Sequence, residues 1–321
     1  KRMAMTVLDV TIPGDFASLG ALIAYIEEQP SPWVRVSLGA GAHAGACFNA
    51  SHCQALRITG CEDAVIVPGP EGYGIQATGI ACDLADILFV GLNGGHDAIS
   101  YLAARGTVAR CRIEGEWAIG VEADEVAHID LNQCYIYPAS TGYGVAAKHG
   151  SSISQIGNMI VGHEQGGVRY GYGVQTRDNG MICGPQTTIQ KVKVAVTADR
   201  GGAFMGDAGG TMRLYYCDTG IRGDGGNVTM PALTCNTIGT LVSMRGGHVA
   251  LMSGLSASNI ANRVVDAVGG EVFLQGACGR AGTTIHANRL REGALLHAAG
   301  TTFGGWPQLV DKDVHSHAFF T

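Results

Sequence analysis

The chain has 321 residues, a formal net charge of −6, 15% charged residues and 49 glycines against 9 prolines. It has no Lys/Arg run, which argues against a nucleic-acid partner, and no apolar stretch of about 18 residues that could cross a bilayer as a helix. Short Val/Ile/Leu runs occur throughout, so the glycines read as turns in an ordered β-rich chain rather than as disorder.

The first expected element is a strand, because Thr6 to Ile12 alternates between apolar and polar residues. Phe16, Leu19, Leu22, Ile23 and Ile26 then fall on one helical face, with Asp15 or Ser18 as the cap and Pro30 and Pro32 as the stop. Trp33 to Leu38 is the next strand. A short amphipathic helix ahead of repeated strands suits the open end of a solenoid, where it covers the first coil's apolar cross-section.

From about residue 41 the chain repeats. Gly-Gly, one variable residue and an apolar–any–apolar triplet recur at Gly209, Gly225, Gly246 and Gly269, at intervals of 16, 21 and 23 residues. A second marker alternates with it, a small residue followed by an aliphatic or aromatic one. It occurs at Gly74-Ile75, Ala98-Ile99, Ala118-Ile119, Gly144-Val145, Gly173-Val174, Ala203-Phe204 and Gly220-Ile221, and less cleanly around Val242, Val265 and Leu296. Short alternating runs separated by glycine fit no helical repeat. They predict an all-β fold, a right-handed parallel β-helix with an N-terminal capping helix. Each coil stacks at about 4.8 Å on the next, and alternate side chains fill a shared core. Gly-Gly supplies positive φ at a corner. Asn132, Asn158, Asn236 and Asn259 are candidates for stacked amides at turns. The expected divisions are 1–40 for strand and helix, 41–305 for the solenoid and 306–321 for a tail.

Ten cysteines are present. None forms a Cys-x-x-Cys pair and several fall inside strand runs, so they read as reduced core residues of a chain that folds in a reducing cytoplasm.

The stretch Val10 to Leu19 resembles the strand, Gly-x-Phe, helix start of pectin esterases and phage tailspikes. The stretches Tyr172 to Gly180, Gly202 to Gly210 and Gly220 to Val228 resemble tail-fibre and tailspike β-helices of the pectin-lyase-like superfamily. That resemblance implies a virion-associated or extracellular fibre or spike that contacts host-surface polysaccharide, usually as a homotrimer alongside other virion proteins. A polysaccharide lyase or hydrolase and a non-catalytic structural adhesin are the alternatives. The superfamily's polygalacturonase, pectin-esterase and pectate-lyase residue sets are missing, so no family catalytic residue carries over.

Counting three residues past each second marker gives a column of Glu122, Lys148, Arg177, Asp207, Asp224 and Arg245. Asp207 and Asp224 are then the candidate catalytic carboxylates, because paired carboxylates are what glycoside hydrolysis needs. The other four are candidate binding residues, and a solvated ladder of alternating charge is the plain alternative. Tyr143, Tyr170 and Tyr172 are candidate sugar-stacking rings, or else turn-packing tyrosines. No cofactor is expected, apart from the option that His315 and His317 bind a metal ion at a trimer tip, since imidazole suits transition metals.

Overall fold

A computed structural model of the protein describes residues 7–184, 186–206, 210–280, 288–298, 301–304 and 310–320. The chain winds into a parallel β-solenoid of about 13 turns. Every coil contributes in turn to three ladders. Sheet A begins with Val7–Ile12, Trp33–Leu38, Ala55–Gly60 and Ala81–Ala85 and runs to His317–Phe319. Sheet B begins with Gly41–Ala44 and Ala64–Val67 and runs to Thr302–Gly304. Sheet C begins with Ala46–Asn49 and Ile75–Thr78 and runs to Val310–Lys312. Long strands such as Leu88–Leu102 and Arg112–Asp124 bend round the corner from sheet B to sheet C without a break.

Register partners along sheet A, from Trp33 through Ala55, Ala81, Arg105, His128 and Ser152 to Met181, lie 22 to 29 residues apart in sequence. The longest of these coils accommodates an antiparallel hairpin, His163–Gln165 with Val168–Tyr170. Its two-residue loop is Gly166-Gly167, both with positive φ, as a tight hairpin turn requires. The strand pairs at either end of the chain belong to the ladders: Val7–Ile12 is the first strand of sheet A, and His317–Phe319 extends it beyond Leu295–His297.

Alternation builds the core. Ile58, Leu84, Val108, Leu131 and Ile153 point inward from sheet A, and Ile66, Phe89, Ile113, Ile136 and Ile160 from sheet B, all almost fully buried. A single coil could not bury them; the coils above and below complete the enclosure. The helix α1 (Leu19–Glu28) buries Leu19, Leu22 and Ile26 over the open end, with Phe16 and Ile23 partly buried against the same core. Ser18 is its cap, its hydroxyl accepting from the Ala21 N–H at 3.1 Å. Asp15 instead accepts from the Thr11 N–H at 2.8 Å.

The Gly-Gly marker lies at the corner between sheets C and A. Gly246, Gly247, Gly269 and Gly270 all have positive φ there. Gly210 precedes a sheet B strand, which accounts for the odd interval of that copy, and Gly209 lies outside the described residues.

The second marker needs two shifts. Its sheet C members are Gly74-Ile75, Ala98-Ile99, Gly120-Val121, Gly144-Val145, Gly173-Val174, Ala195-Val196 and Gly220-Ile221. Ala118-Ile119 is two residues early: Ile119 pairs with Asp97, and the register partner of Ile99 is Val121. Ala203-Phe204 and Leu296 belong to sheet A. Of the four asparagines, Asn259 donates to Asn236 Oδ1 at 2.9 Å in neighbouring coils. Asn158 instead ties the A–B corner, accepting from the Cys134 N–H and donating to the Leu131 carbonyl, both at 2.8 Å.

None of the ten cysteines is in a disulfide, and Cys53, Cys82, Cys111, Cys134, Cys217, Cys235 and Cys278 are buried. Burial pushes Cys82, Cys217 and Cys278 up to about 12, so they behave as small apolar groups.

Candidate functional site

The outer face of sheet C concentrates polar chemistry. Gln76, Ser100, Glu122, Ala146, Gln175, Thr197 and Arg222 form one register column across consecutive coils. They alternate with core residues such as Tyr101, Ala123, Ala147 and Ala198, so they point away from the axis. Yet Ser100 is 1% exposed, Glu122 and Gln175 7% and Thr197 0%. Outward side chains this buried form the floor of a trough, walled by the columns on either side.

One wall carries Asp97, Ile119, Tyr143 and Tyr172, which follow each other in register. The Tyr143 and Tyr172 rings stack at 4.8 Å, and the Arg222 guanidinium lies over Tyr172 at 5.9 Å. The other wall carries Lys148 and Arg177, which follow the paired Ala147 and Thr176, and then Asp199, Asp224 and Arg245.

At the N-terminal half of the trough lies a buried charged triad. Lys148 Nζ donates to Glu122 Oε1 with both side chains nearly enclosed, and Glu122 hydrogen-bonds the Asp97 carboxyl. Burial first, then the Glu122 charge and hydrogen bond, push Asp97 up to about 8, with Lys148 pulling the other way. Asp97 therefore holds a proton at neutral pH while Glu122 is balanced by Lys148. Beside them Tyr73 stacks on His96 at 5.2 Å, and burial followed by the Asp97 charge raises the phenol.

Further along, Gln175 Nε2 donates to Asp199 Oδ2 at 3.2 Å. Burial raises Asp199 in spite of that bond, and the nearby Asp224 charge adds to the effect. Ser100 Oγ, Thr197 Oγ1, Asp199 Oδ1 and Arg177 Nε are buried with no protein hydrogen-bond partner. Buried polar atoms are nearly always paired, so two unpaired hydroxyls on the floor and two unpaired atoms in the adjoining wall mark a surface suited to a polar occupant.

Glu122 and Lys148 come together as an ion pair, but diagonally: Glu122 is in the floor column and Lys148 in the wall. The true successor of Arg177 in the wall is Asp199, and Asp207 lies outside the described residues. An alternating charge ladder runs along the edge of that wall, where Asp124, the wall residue before Lys148, meets His149 at 2.6 Å and Arg200 meets Asp178 at 2.8 Å. Tyr143 and Tyr172 belong to the trough wall. Tyr170 is on the hairpin, its ring 6.2 Å from His163. His317 is on the last sheet A strand, 6.4 Å from Phe319, and His315 is in the preceding turn. Among the described residues no group of three or more His, Cys, Asp or Glu side chains converges as a metal site.

Asp97, Tyr73, Ser100, Gln175, Asp199 and Arg222 are site residues that counting from the marker missed. The residue immediately before each correctly placed marker is Tyr73, Asp97, Ile119, Tyr143 and Tyr172, which is the trough wall. That column was available to the same count.

No protein-family model matches the chain, and no curated protein matches it. Among solved structures it is similar to the catalytic domain of a GH87 alpha-1,3-glucanase variant in complex with tetrasaccharides, at 11% identity and a TM-score of 0.44, over 97% of this chain and 69% of that one.

Proposed function

We propose that the protein binds a linear polysaccharide along the outer face of sheet C. The observation that carries this reading is the buried polar floor with its unpaired Ser100 and Thr197 hydroxyls, bordered by stacked tyrosines on one side and by Arg177 and Asp199 on the other. A glycan offers many hydroxyls to satisfy such groups and apolar C–H faces for the aromatic wall. Adjacent coils repeat at about 4.8 Å, which suits a repeating extended polymer. On this reading the chain is a spike or fibre of a virion that contacts host-surface glycan. A homotrimer would present three such troughs and gain from multivalent attachment.

Binding is favoured over cleavage by the carboxyl geometry. Glycoside hydrolysis places its two carboxyls about 5–9.5 Å apart, with the sugar bond between them. Asp97 and Glu122 share a hydrogen bond, closer than either geometry allows. Hydrolysis stands as a second reading because Asp97 keeps a transferable proton at neutral pH, the property of a general acid. Glycan-array binding followed by titration calorimetry tests the first reading: Gln175→Ala and Tyr172→Ala should each weaken binding about tenfold. Array silence across neutral, amino and acidic polysaccharides would refute it. A reducing-end assay on every bound polysaccharide tests the second, with Asp97→Asn as control.

A further inference from the structure

Sheet C starts at Ala46–Asn49, one coil later than sheet A, and α1 packs where an earlier strand would lie. Between α1 and the first two coils is a cleft of about 430 Å³, a size that suits a small ligand. Its lining includes Glu27 from the helix and Cys47, Asn49, Glu71, Tyr73 and Gln76 from the coils, and it contains no Lys or Arg. Cys47 and Gln76 are register partners and head the floor column that continues to Ser100 and Glu122. The cleft and the trough are therefore one surface, open along the coils and closed by the helix. Ser100 Oγ, buried and unpaired, is one coil beyond Gln76. Tyr73 lines the cleft and feels the charges of both Asp97 and Glu122.

We propose that the cleft receives the end of the glycan, so that binding is directed to a chain terminus, and that the terminal sugar carries no acid group. This rests on the polysaccharide reading of sheet C. An internal segment of a polymer needs an exit at both ends of its groove, and α1 removes one of them. Glu27 and Glu71 present two carboxylates to the occupant. Glu71 Oε2 accepts from the Cys47 thiol at 3.3 Å, and Glu27 lies 3.4 Å from the His52 ring. A uronate seated there would meet like charge with no Lys or Arg in the lining to offset it, and that repulsion disfavours it. A neutral or amino sugar instead meets the amides of Asn49 and Gln76, the Tyr73 ring and two acceptors.

The test uses short neutral glucan oligomers of several linkages, the same oligomers blocked by a bulky fluorophore at one end or the other, and oligogalacturonate of equal length. Blocking one end should weaken binding at least about tenfold while blocking the other leaves it unchanged. Long polymers should compete in proportion to chain ends rather than mass, and oligogalacturonate should not bind. Gly20 lies exposed on α1, and a Cβ there would meet Ser18 Oγ at an ordinary 3.8 Å, so Gly20→Trp should plug the cleft in a folded protein and reproduce the loss. Equal binding of both blocked forms, or competition in proportion to mass, would overturn end recognition and leave the trough reading intact. If no oligomer or polymer binds, the trough reading fails and the inference fails with it.

Discussion

Replacing Asp97 by asparagine removes one buried titration and keeps the shape, so stability against pH is a direct readout of the triad. In the native state Asp97 holds its proton up to about pH 8, whereas the unfolded chain releases it near 3.8. A carboxyl raised in this way makes the folded state bind more protons than the unfolded state between those limits, so wild-type stability falls as pH rises through the window. The slope for one proton is about 1.4 kcal/mol per pH unit. Between pH 6 and pH 8 the wild type should therefore lose about 2–3 kcal/mol relative to Asp97→Asn, which has nothing to ionise there. Below pH 4 both states of the wild type are protonated and the difference should stop changing. Chemical denaturation of both proteins at half-unit pH steps measures it. Parallel stability curves from pH 5 to pH 9 would refute the buried, proton-sharing arrangement of Asp97 and Glu122.

Other perturbations separate architecture from surface. Removing the Lys148 ammonium as Lys148→Met leaves the Glu122 carboxylate buried and unpaired, and should cost about 3–5 kcal/mol by denaturant titration at pH 8. A Cβ on Gly247 would run into the Gly226 carbonyl oxygen at a φ of +84°, so Gly247→Ala should cost at least about 1–3 kcal/mol, seen as an earlier thermal midpoint. Ile129 is fully buried in the middle of sheet A, and Ile129→Ala should cost about 2–5 kcal/mol by the same measurement. Arg110 pairs with Asp86 through two bonds of 2.7 Å but is over half exposed, so Arg110→Ala should cost no more than about 1 kcal/mol.

The solenoid was readable because its rule is local. Inward positions are apolar in nearly every coil, with Gln155 and Thr176 as buried polar exceptions, and corners need residues that tolerate positive φ, so the same short pattern recurs wherever a coil turns. The helix face from Leu19 to Ile26 was readable for the same reason. The site was not, because its assembly depends on register: Ala118-Ile119 and Gly120-Val121 fit the same pattern, and taking the first where the register uses the second moved the count by two. That shift put Glu122 in the wall when it belongs to the floor. A marker misassigned at Ala203 substituted Asp207 for Asp199. Asp97 stayed hidden because nothing in Gly95-His96-Asp97-Ala98 marks a carboxyl as buried; its proton affinity arises first from that burial and then from Glu122, one coil away in space and 25 residues away in sequence.

The most direct test is a crystal structure with the tightest oligosaccharide from the array. Sugar density lying along Ser100, Glu122, Gln175 and Thr197, with rings against Tyr143 and Tyr172, is the expected result. Sugar bound on sheet A or sheet B with the sheet C floor bare would contradict it.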